Sequence, residues 1–475
     1  MKKNLPLLLP LLFAYVPSYA LELKLEDYLE KVKANNHAIK ASLITLASLE
    51  SRRDESTLLY KPQMFSEFQF AIDQKPTTNI AAQGNQTNFQ TINAGLMQQF
   101  EMGLKAKLKY SLSHTHILNA SPSVLPLSNY NDAQLSLELS QSLLRNSMGS
   151  ETKAQKNLAD YDRQSKVYLE QFKVKTILTR AEALYYSFAQ LKKMHQVQKE
   201  TLERALKLKS WTENRVNSGL GDRSDLLQAD SNVRFREYEM AGIEQQLASS
   251  KKALFNMMGE VDQSSLQELN LSTAFFSQAK DLNLASFDQK RLDLKAQEEL
   301  IKLAKENIQL SIERNKPNLE VYGSYALNGR DSARMESITN GFKTDHDTIA
   351  MGLRFSAPLD LTLLSKNRES YNNEKAALEL NLKQKEFDIE EEWKELTRKF
   401  KEAKTNLLLS TKIEEAQKTK AINERDRLSR GRTTTFQVLN FDQDLAQSSL
   451  LKMKHELELL NYYAQSKLFT QGGEQ

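Results

Sequence analysis

The chain has 475 residues, no cysteine, 65 basic and 61 acidic side chains, and a formal net charge of +4 at pH 7. The absence of cysteine excludes disulfides, thiolate catalysis and thiolate metal sites. The near balance of charge provides no electrostatic basis for nucleic-acid binding. With only 15 glycines and 9 prolines, the composition favours long uninterrupted helices.

The N-terminal segment has the pattern of a secretory signal peptide. Lys2 and Lys3 precede an apolar run at residues 5–13, and the small residues Ser18 and Ala20 follow, the pattern that a signal peptidase recognises. The run is too short for a membrane-spanning helix, and no other stretch has the roughly 18 continuous apolar residues that such a helix needs. We therefore expect an exported protein that crosses a membrane, if at all, as β-strands.

Two very long helices are predicted, at residues 150–217 and 364–430. Both segments lack proline and glycine and are rich in Ala, Leu, Lys, Glu and Gln, the strongest helix formers. A helix of this length extends for about 100 Å, so it must pack lengthwise against other helices. Shorter helices, each about half as long, are predicted at residues 25–60, 224–258, 286–316 and 436–469.

The two halves of the chain repeat each other. An offset of 212 residues aligns 215–219 with 427–431, and it also aligns Asp230 with Asp442. The last residue of each aligned segment is a glycine that follows a long helix, where a left-handed C-cap favours glycine. An ordinary turn between helices that occurs twice is the alternative, but the shared spacing and flanking residues favour an internal repeat. We expect two helical hairpins with tips at 216–225 and 429–437.

Between the helices, apolar and polar residues alternate with a period of two, which indicates strands with one apolar and one polar face. The clearest segments are 104–112, 134–140, 319–327 and 349–355, and weaker alternation marks 64–72 and 92–100. Strands of this length cross a bilayer when tilted, and polar loops between them are typical of outer-membrane barrels. A soluble β-sandwich attached to a helical bundle also fits the alternation, but the signal peptide and the long helices favour the barrel.

The number of strands predicts an oligomer. Four to six strands per chain are too few to enclose a lumen, and unpaired strand edges are not tolerated in lipid. Three copies would supply about 12 to 18 strands, enough for an open lumen.

Eight short segments, none of them specific alone, occur in a characteristic order and spacing: 181–186, 219–220, 225–230, 257–259, 291–298, 316–319, 352–359 and 438–440. In these segments the chain resembles the outer-membrane efflux protein family, the TolC-like outer-membrane factors. The resemblance implies an α+β membrane protein that forms a homotrimer, with two structural repeats per chain. The trimer would have an outer-membrane β-barrel of about 12 strands, which continues into a long periplasmic α-helical barrel. It also implies docking to a periplasmic adaptor (membrane fusion) protein and an inner-membrane transporter.

On this interpretation the chain divides into a signal peptide (1–20), a first short helix (21–62), first-repeat barrel strands (63–146), a first helical hairpin (147–258), an equatorial linker (259–285), a second short helix (286–316), second-repeat barrel strands (317–359) and a second helical hairpin (360–471). The strand region of the first half is about 48 residues longer than that of the second. This excess predicts an extra hairpin at 88–130 and puts the family's usual count of four strands per chain in doubt.

Candidate residues for adaptor docking lie at the two tips: Arg215, Gly219, Leu220, Arg427, Gly431 and Arg432. Candidate gate residues are Asp225, Arg430, Gln437 and Asn440. The resemblance implies acidic rings after the second tip, but Gln437 and Asn440 stand there and cannot ionise, so we expect weak block by divalent cations. Asp225 matches an acidic position after the first tip and could pair with Arg427, Arg430 or Arg432. The alternative is that these arginines are solvated or contact the adaptor.

Three lysines, Lys105, Lys107 and Lys109, share one strand face and are candidates to line the lumen and favour anions. The alternative is that they only keep this face polar. His114 and His116 are the only close histidine pair, and surface histidines are expected there rather than a metal site. No catalytic or cofactor-binding motif is found, so we expect no enzyme activity, cofactor or metal.

The predicted function is a passive outer-membrane exit duct of a tripartite efflux pump or a type I secretion system, with its helical domain in the periplasm. The alternative is a periplasmic coiled-coil adaptor or scaffold without a pore. The presence of two halves, each with strands of membrane length, favours the duct.

Overall fold

The computed structural model describes residues 23–260, 273–288 and 291–470. The predicted signal peptide (1–20) and part of the predicted linker (261–272) lie outside the described residues. The helices are α1 (Leu25–Asn35), α2 (His37–Ser51), α3 (Ile80–Gln83), α4 (Ser150–Asn217), α5 (Arg223–Met258), α6 (Ala274–Gln278), α7 (Leu292–Asn315), α8 (Arg334–Asn340), α9 (Leu361–Ser429) and α10 (Thr435–Ser466). The strands are β1 (Gln63–Asp73), β2 (Gln86–Gln99), β3 (Leu104–Leu118), β4 (Asn129–Ser142), β5 (Asn318–Asp331) and β6 (Asp347–Ser356).

The two long helices are continuous. α4 has 68 residues and the bounds predicted from the sequence, and α9 has 69 residues. Asn146 precedes α4, and its side-chain oxygen accepts a hydrogen bond from the backbone N–H of Thr152 at 3.1 Å, which satisfies a donor that the first turn leaves free. None of the described helices is both long and apolar enough to span a bilayer.

The first short helix is not the single element predicted at 25–60. It breaks at Asn36, where ψ is 123°, and resumes as α2. The Asn36 side-chain oxygen accepts hydrogen bonds from the backbone N–H groups of Ala38 and Ile39 at 3.0 and 3.2 Å. Its amide nitrogen donates to the carbonyl of Met257 at 2.9 Å. The side chain thus replaces the backbone hydrogen bonds of a continuous helix.

The six strands form one antiparallel sheet in chain order, from β1 to β6. β2 and β3 form a hairpin, with Gly103 at a φ of 84° in its turn, inside the segment where the sequence predicts extra strands. β4 of the first half pairs with β5 of the second half, so both halves contribute to one sheet. Four strands per chain, the count that the resemblance implies, is therefore wrong for this chain.

The chain forms two compact units. One unit comprises 46–169 and 293–385 and contains the sheet; the other comprises the described residues within 1–45, 170–292 and 386–475 and is mostly helical. The core of the helical unit joins residues of α1, α4, α5, α9 and α10. Its largest fully buried aromatic side chains are Tyr28, Tyr185, Phe188 and Phe255.

Two tyrosines of this core provide a matched test of buried hydrogen bonding. The Tyr185 hydroxyl donates to the Leu23 carbonyl at 2.7 Å, whereas the Tyr28 hydroxyl is buried without a partner among the described residues. Burial raises the pKa of Tyr28 above its ordinary value of 10. We expect Tyr185→Phe to lower the free energy of unfolding by about 1 kcal/mol and Tyr28→Phe to leave it unchanged or raise it. Thermal unfolding followed by circular dichroism measures both, and a larger loss for Tyr28→Phe would contradict this expectation.

Candidate functional site: hairpin tips and sheet faces

The first long helix ends in a Schellman turn. The Gly219 N–H donates to the Val216 carbonyl at 3.0 Å, and the Leu220 N–H donates to the Arg215 carbonyl at 2.9 Å. This pair of bonds defines the motif and satisfies carbonyls that the last helical turn leaves free. Gly219 has the left-handed φ of 72° that the motif requires.

The second long helix ends in the same turn. The Gly431 N–H donates to the Leu428 carbonyl and the Arg432 N–H donates to the Arg427 carbonyl, both at 2.9 Å. Gly431 has a φ of 70°. A Cβ at this position, or at Gly219, would meet no atom within 4 Å, so both positions need glycine for its backbone conformation and not for space.

An arginine side chain closes each turn. The Arg215 Nη2 donates to the Leu220 carbonyl at 2.9 Å, and the Arg427 Nη2 donates to the Arg432 carbonyl at 3.5 Å. These arginines are the pair that the offset of 212 residues aligns. The two tips are therefore alike in backbone and side-chain geometry, but the first presents an exposed leucine where the second presents an exposed arginine.

The aligned aspartates, Asp230 and Asp442, each join a returning helix to the long helix before it. Asp230 accepts a hydrogen bond from the Lys209 ammonium at 2.6 Å, and this bond holds the pKa of its carboxyl below the ordinary value. Asp442 pairs with the guanidinium of Arg425. Lys209 and Arg425 are not related by the offset of 212 residues. Both repeats therefore have an ion pair between the two helices of the hairpin, but its basic residue stands at a different position in each.

The candidate gate residues lie just after the tips. Asp225 lies in the first turn of α5, whereas Gln437 and Asn440 are exposed near the start of α10. Arg430 pairs with Asp426 of its own helix at 2.9 Å.

The predicted pairing of Asp225 with arginines of the second tip is not found within one chain. Arg427 pairs with Glu424 at 3.1 Å, so it and Arg430 both bond carboxylates of α9. Among the described residues, no ion pair joins Asp225 to either of these arginines or to Arg432.

One face of the sheet carries a continuous apolar row. The row has one residue from each strand, and every neighbouring pair is in direct register: Met64, Leu96, Leu108, Leu137, Tyr325 and Ile349. All six side chains are exposed. An exposed apolar surface that crosses a whole sheet marks a contact with lipid or with another protein.

The opposite face is polar, and the three candidate lysines lie on it. Lys105 lies 3.8 Å from the Glu320 carboxylate, which also accepts from Arg354 at 3.3 Å. Lys107 is in register with Glu138, and its ammonium lies 5.0 Å from the centre of the Phe65 ring. The lysines therefore share their face with carboxylates, which reduces the excess positive charge that they were predicted to give it.

Sequence reasoning missed two features of the structure. The connection between β5 and β6 contains α8, which packs on the sheet. In the helical unit, the buried Glu182 carboxylate pairs with the partly exposed Lys467 ammonium. Within the described ranges, no group of His, Cys, Asp and Glu side chains has the arrangement of a metal site; His114 instead lies 3.2 Å from the Asn131 side-chain oxygen.

Residues 107–260, from β3 through the first tip to the end of α5, match the family model described as outer membrane efflux protein. The predicted resemblance to the outer-membrane efflux proteins is confirmed. A search of curated protein sequences finds no match to the chain.

Solved structures of similar fold include outer-membrane channels and an outer membrane protein. The outer-membrane channel OprN matches with 13% identity and a TM-score of 0.66, covering 94% of this chain and 89% of that one. The CmeC outer membrane channel of Campylobacter jejuni matches with 13% identity and a TM-score of 0.65, covering 95% and 87%. The outer membrane protein VceC of Vibrio cholerae matches with 13% identity and a TM-score of 0.64, covering 94% and 95%. At these identities the likeness is one of fold.

Proposed function

We propose that this chain is one subunit of a trimeric outer-membrane exit duct, which serves a tripartite efflux pump or a type I secretion system. The observation that carries the proposal is the apolar row across all six strands, exposed on one face of a sheet whose other face is polar. In a soluble protein such a face would be covered. In a membrane barrel it faces lipid, and the polar face lines the lumen.

The sheet edges support assembly with further copies. Among the described residues of one chain, β1 and β6 each pair along one side only. Backbone groups left unpaired in a bilayer have no water to bond. Pairing of β6 with β1 of a neighbouring copy removes both edges. Three copies of a six-stranded sheet would close a barrel of about 18 strands, wide enough for an open lumen.

We further propose that the two tips are the docking surface for a periplasmic adaptor protein, through which an inner-membrane transporter is engaged. Leu220 and Arg432 are exposed at corresponding positions of two turns with the same backbone geometry. In a trimer these turns would alternate around a ring, so one adaptor surface could contact both kinds of tip.

Cell fractionation and gel electrophoresis test the proposal. We expect the protein in the outer-membrane fraction, as a trimer that resists detergent and dissociates on heating. A soluble periplasmic product would overturn the proposal and favour a scaffold without a pore.

The three lysines on the polar face of the sheet predict how ion selectivity depends on charge. Replacing Lys105, Lys107 and Lys109 together by glutamate changes each charge by two units. We expect the reversal potential in a salt gradient to shift toward cation selectivity, because charges on the wall of a narrow lumen set local ion concentrations. The matched triple glutamine variant should shift about half as far. An unchanged reversal potential in both variants would show that these lysines do not line the conducting path.

The uncharged residues after the second tip predict how strongly divalent cations block the channel. Gln437 and Asn440 are exposed and uncharged, so a trimer would have no acidic ring there to bind a cation. We expect weak block of conductance by divalent cations in the unmodified protein, and at least about tenfold tighter block in the variant Gln437→Asp with Asn440→Asp, because clustered carboxylates bind hard cations. Conductance titration in planar bilayers measures both, with Gln437→Glu as a single-charge comparison. Strong block of the unmodified channel would contradict this expectation.

A further inference from the structure

A short helix in the connection between β5 and β6 lies on the apolar face of the sheet. Ala133 belongs to this face, since it pairs in register with Leu112. A Cβ added to Gly341, the residue after α8, would lie 3.1 Å from the Cβ of Ala133. Phe342 stacks on Tyr110 of the same face, with ring centres 5.8 Å apart and planes 10° apart. The helix therefore covers the end of the apolar face that adjoins the connecting loops.

The contact between α8 and the sheet is close and built from small residues. A Cβ at Gly329 of β5 would lie 2.2 Å from both the Ser337 carbonyl oxygen and the Gly341 nitrogen. Ser337 is fully buried. The buried Asn131 amide donates to the Ser332 carbonyl at 2.9 Å and ties the start of the segment to β4. The helix is thus fixed on the sheet by backbone proximity and hydrogen bonds.

α8 and the residues after it leave two large apolar side chains exposed, although Ile338 of the same helix is half-buried. A helix on a soluble core buries its large apolar residues and exposes its polar ones. Here the small residues Ser337 and Gly341 face the sheet, while Met335 is 73% exposed and Phe342 is 56% exposed. Through the stacking of Phe342 on Tyr110, this exposed apolar surface is continuous with the apolar face of the strands.

We infer that α8 is a lipid-contacting element of the barrel wall, with Met335 and Phe342 inserted among the acyl chains at the level where the strands meet their outer loops. An amphipathic segment at this level places apolar side chains in the acyl region and polar ones among the headgroups. The charged residues Arg334 and Glu336 within α8 and Lys343 after it are exposed and suit the headgroup layer. The inference rests on the proposed function, since it requires the apolar face to contact lipid.

Fluorescence quenching by brominated acyl chains tests the inference in the reconstituted full-length protein. Three variants each add one tryptophan: Met335→Trp on α8, Met351→Trp on the apolar face of β6, and Ala350→Trp, its neighbour on the polar face. All three positions are exposed, so the fold should tolerate the larger side chain. The two native tryptophans, Trp211 and Trp393, are present in every variant, and their signal is subtracted.

In vesicles of phosphatidylcholine with brominated chains, relative to unbrominated vesicles, we expect the added emission of Met335→Trp and Met351→Trp to fall about twofold or more, because both lie in the acyl region. The added emission of Ala350→Trp should be unchanged. Quenching of Met351→Trp without quenching of Met335→Trp would overturn the inference about α8 and leave the duct intact. Absence of quenching at Met351→Trp would overturn the lipid-facing sheet and the proposed function with it.

Discussion

Deleting residues 86–118 is expected to convert the proposed barrel of about 18 strands into one of about 12 and to narrow it by about one third, because barrel diameter grows roughly linearly with strand number. The deleted segment is the hairpin of β2 and β3. Its two ends meet, since Gln86 and Leu118 are paired in register. The flanking residues also touch, with the Asn119 amide donating to the Asn85 side-chain oxygen at 2.9 Å. The chain can therefore be rejoined without stretching it.

The topology also allows the remaining strands to pair. β1 is antiparallel to β2, β2 to β3, and β3 to β4, so removal of two strands leaves β1 and β4 antiparallel. Their apolar sides remain on the same face, because one apolar row runs through both. The three ladders that join β1 to β4 through β2 and β3 are replaced by one, and no new sheet edge is created.

Electron cryomicroscopy of the proposed trimer in nanodiscs measures the barrel diameter directly. Deletion of the loop residues 120–127 is the matched control, since it shortens the same region and leaves six strands. The expectation is contradicted if the deletion variant keeps the original diameter. If the variant fails to assemble, the diameter of the unmodified barrel decides between about 18 and about 12 strands.

Lys467→Met is expected to lower the free energy of unfolding by about 3 kcal/mol, because it leaves a buried carboxylate without its counter-ion. This is the lower end of the range for buried pairs, since the Lys467 side chain is itself 35% exposed. The Glu182 side chain is only 3% exposed. Its two oxygens accept from the Lys467 ammonium at 2.7 and 2.8 Å, and one of them also accepts from the Tyr186 hydroxyl at 2.7 Å. Burial, and then the charge of Glu182, raises the pKa of Tyr186 above its ordinary value of 10, so this phenol stays a donor.

Two further variants separate charge from packing. Lys467→Arg keeps the positive charge and should lose much less stability. The double variant Glu182→Gln with Lys467→Met should recover a large part of the loss, because no unpaired charge is then buried. Thermal or denaturant unfolding followed by circular dichroism measures all three. A loss below about 1 kcal/mol at neutral pH would place Glu182 in contact with water instead.

Helix bounds and tips follow from neighbouring residues, and this is why the sequence predicts them well. The run without proline or glycine between Ser150 and Asn217 coincides with α4, and the glycines at 219 and 431 stand at the left-handed positions of two matching turns. The break at Asn36 was not predicted, because its amide bonds a carbonyl 221 residues away. An asparagine within a helical pattern carries no local sign of such a partner.

The strands, too, were predicted in part from the sequence and in part not. Alternation marks all six, but it is weaker in β1 and β2 because apolar residues also occur on their polar face. Phe65 is one of these, and it lies beneath the Lys107 ammonium of β3. The helix α8 was predicted as loop, because seven residues with small side chains toward the sheet give no periodic apolar signal.

The sequence by itself determined two helical hairpins with equivalent tips, strands of membrane length with one apolar face, and a resemblance to the outer-membrane efflux proteins. These depend on propensity, periodicity and capping, which act over a few neighbouring residues. Only the tertiary structure decided that both halves share one six-stranded sheet, that Glu182 is neutralised by a lysine 285 residues away, and that α8 packs on the sheet through Ser337 and leaves Met335 exposed. Such contacts join residues far apart in the chain, and packing in three dimensions selects them among many partners of equal local preference.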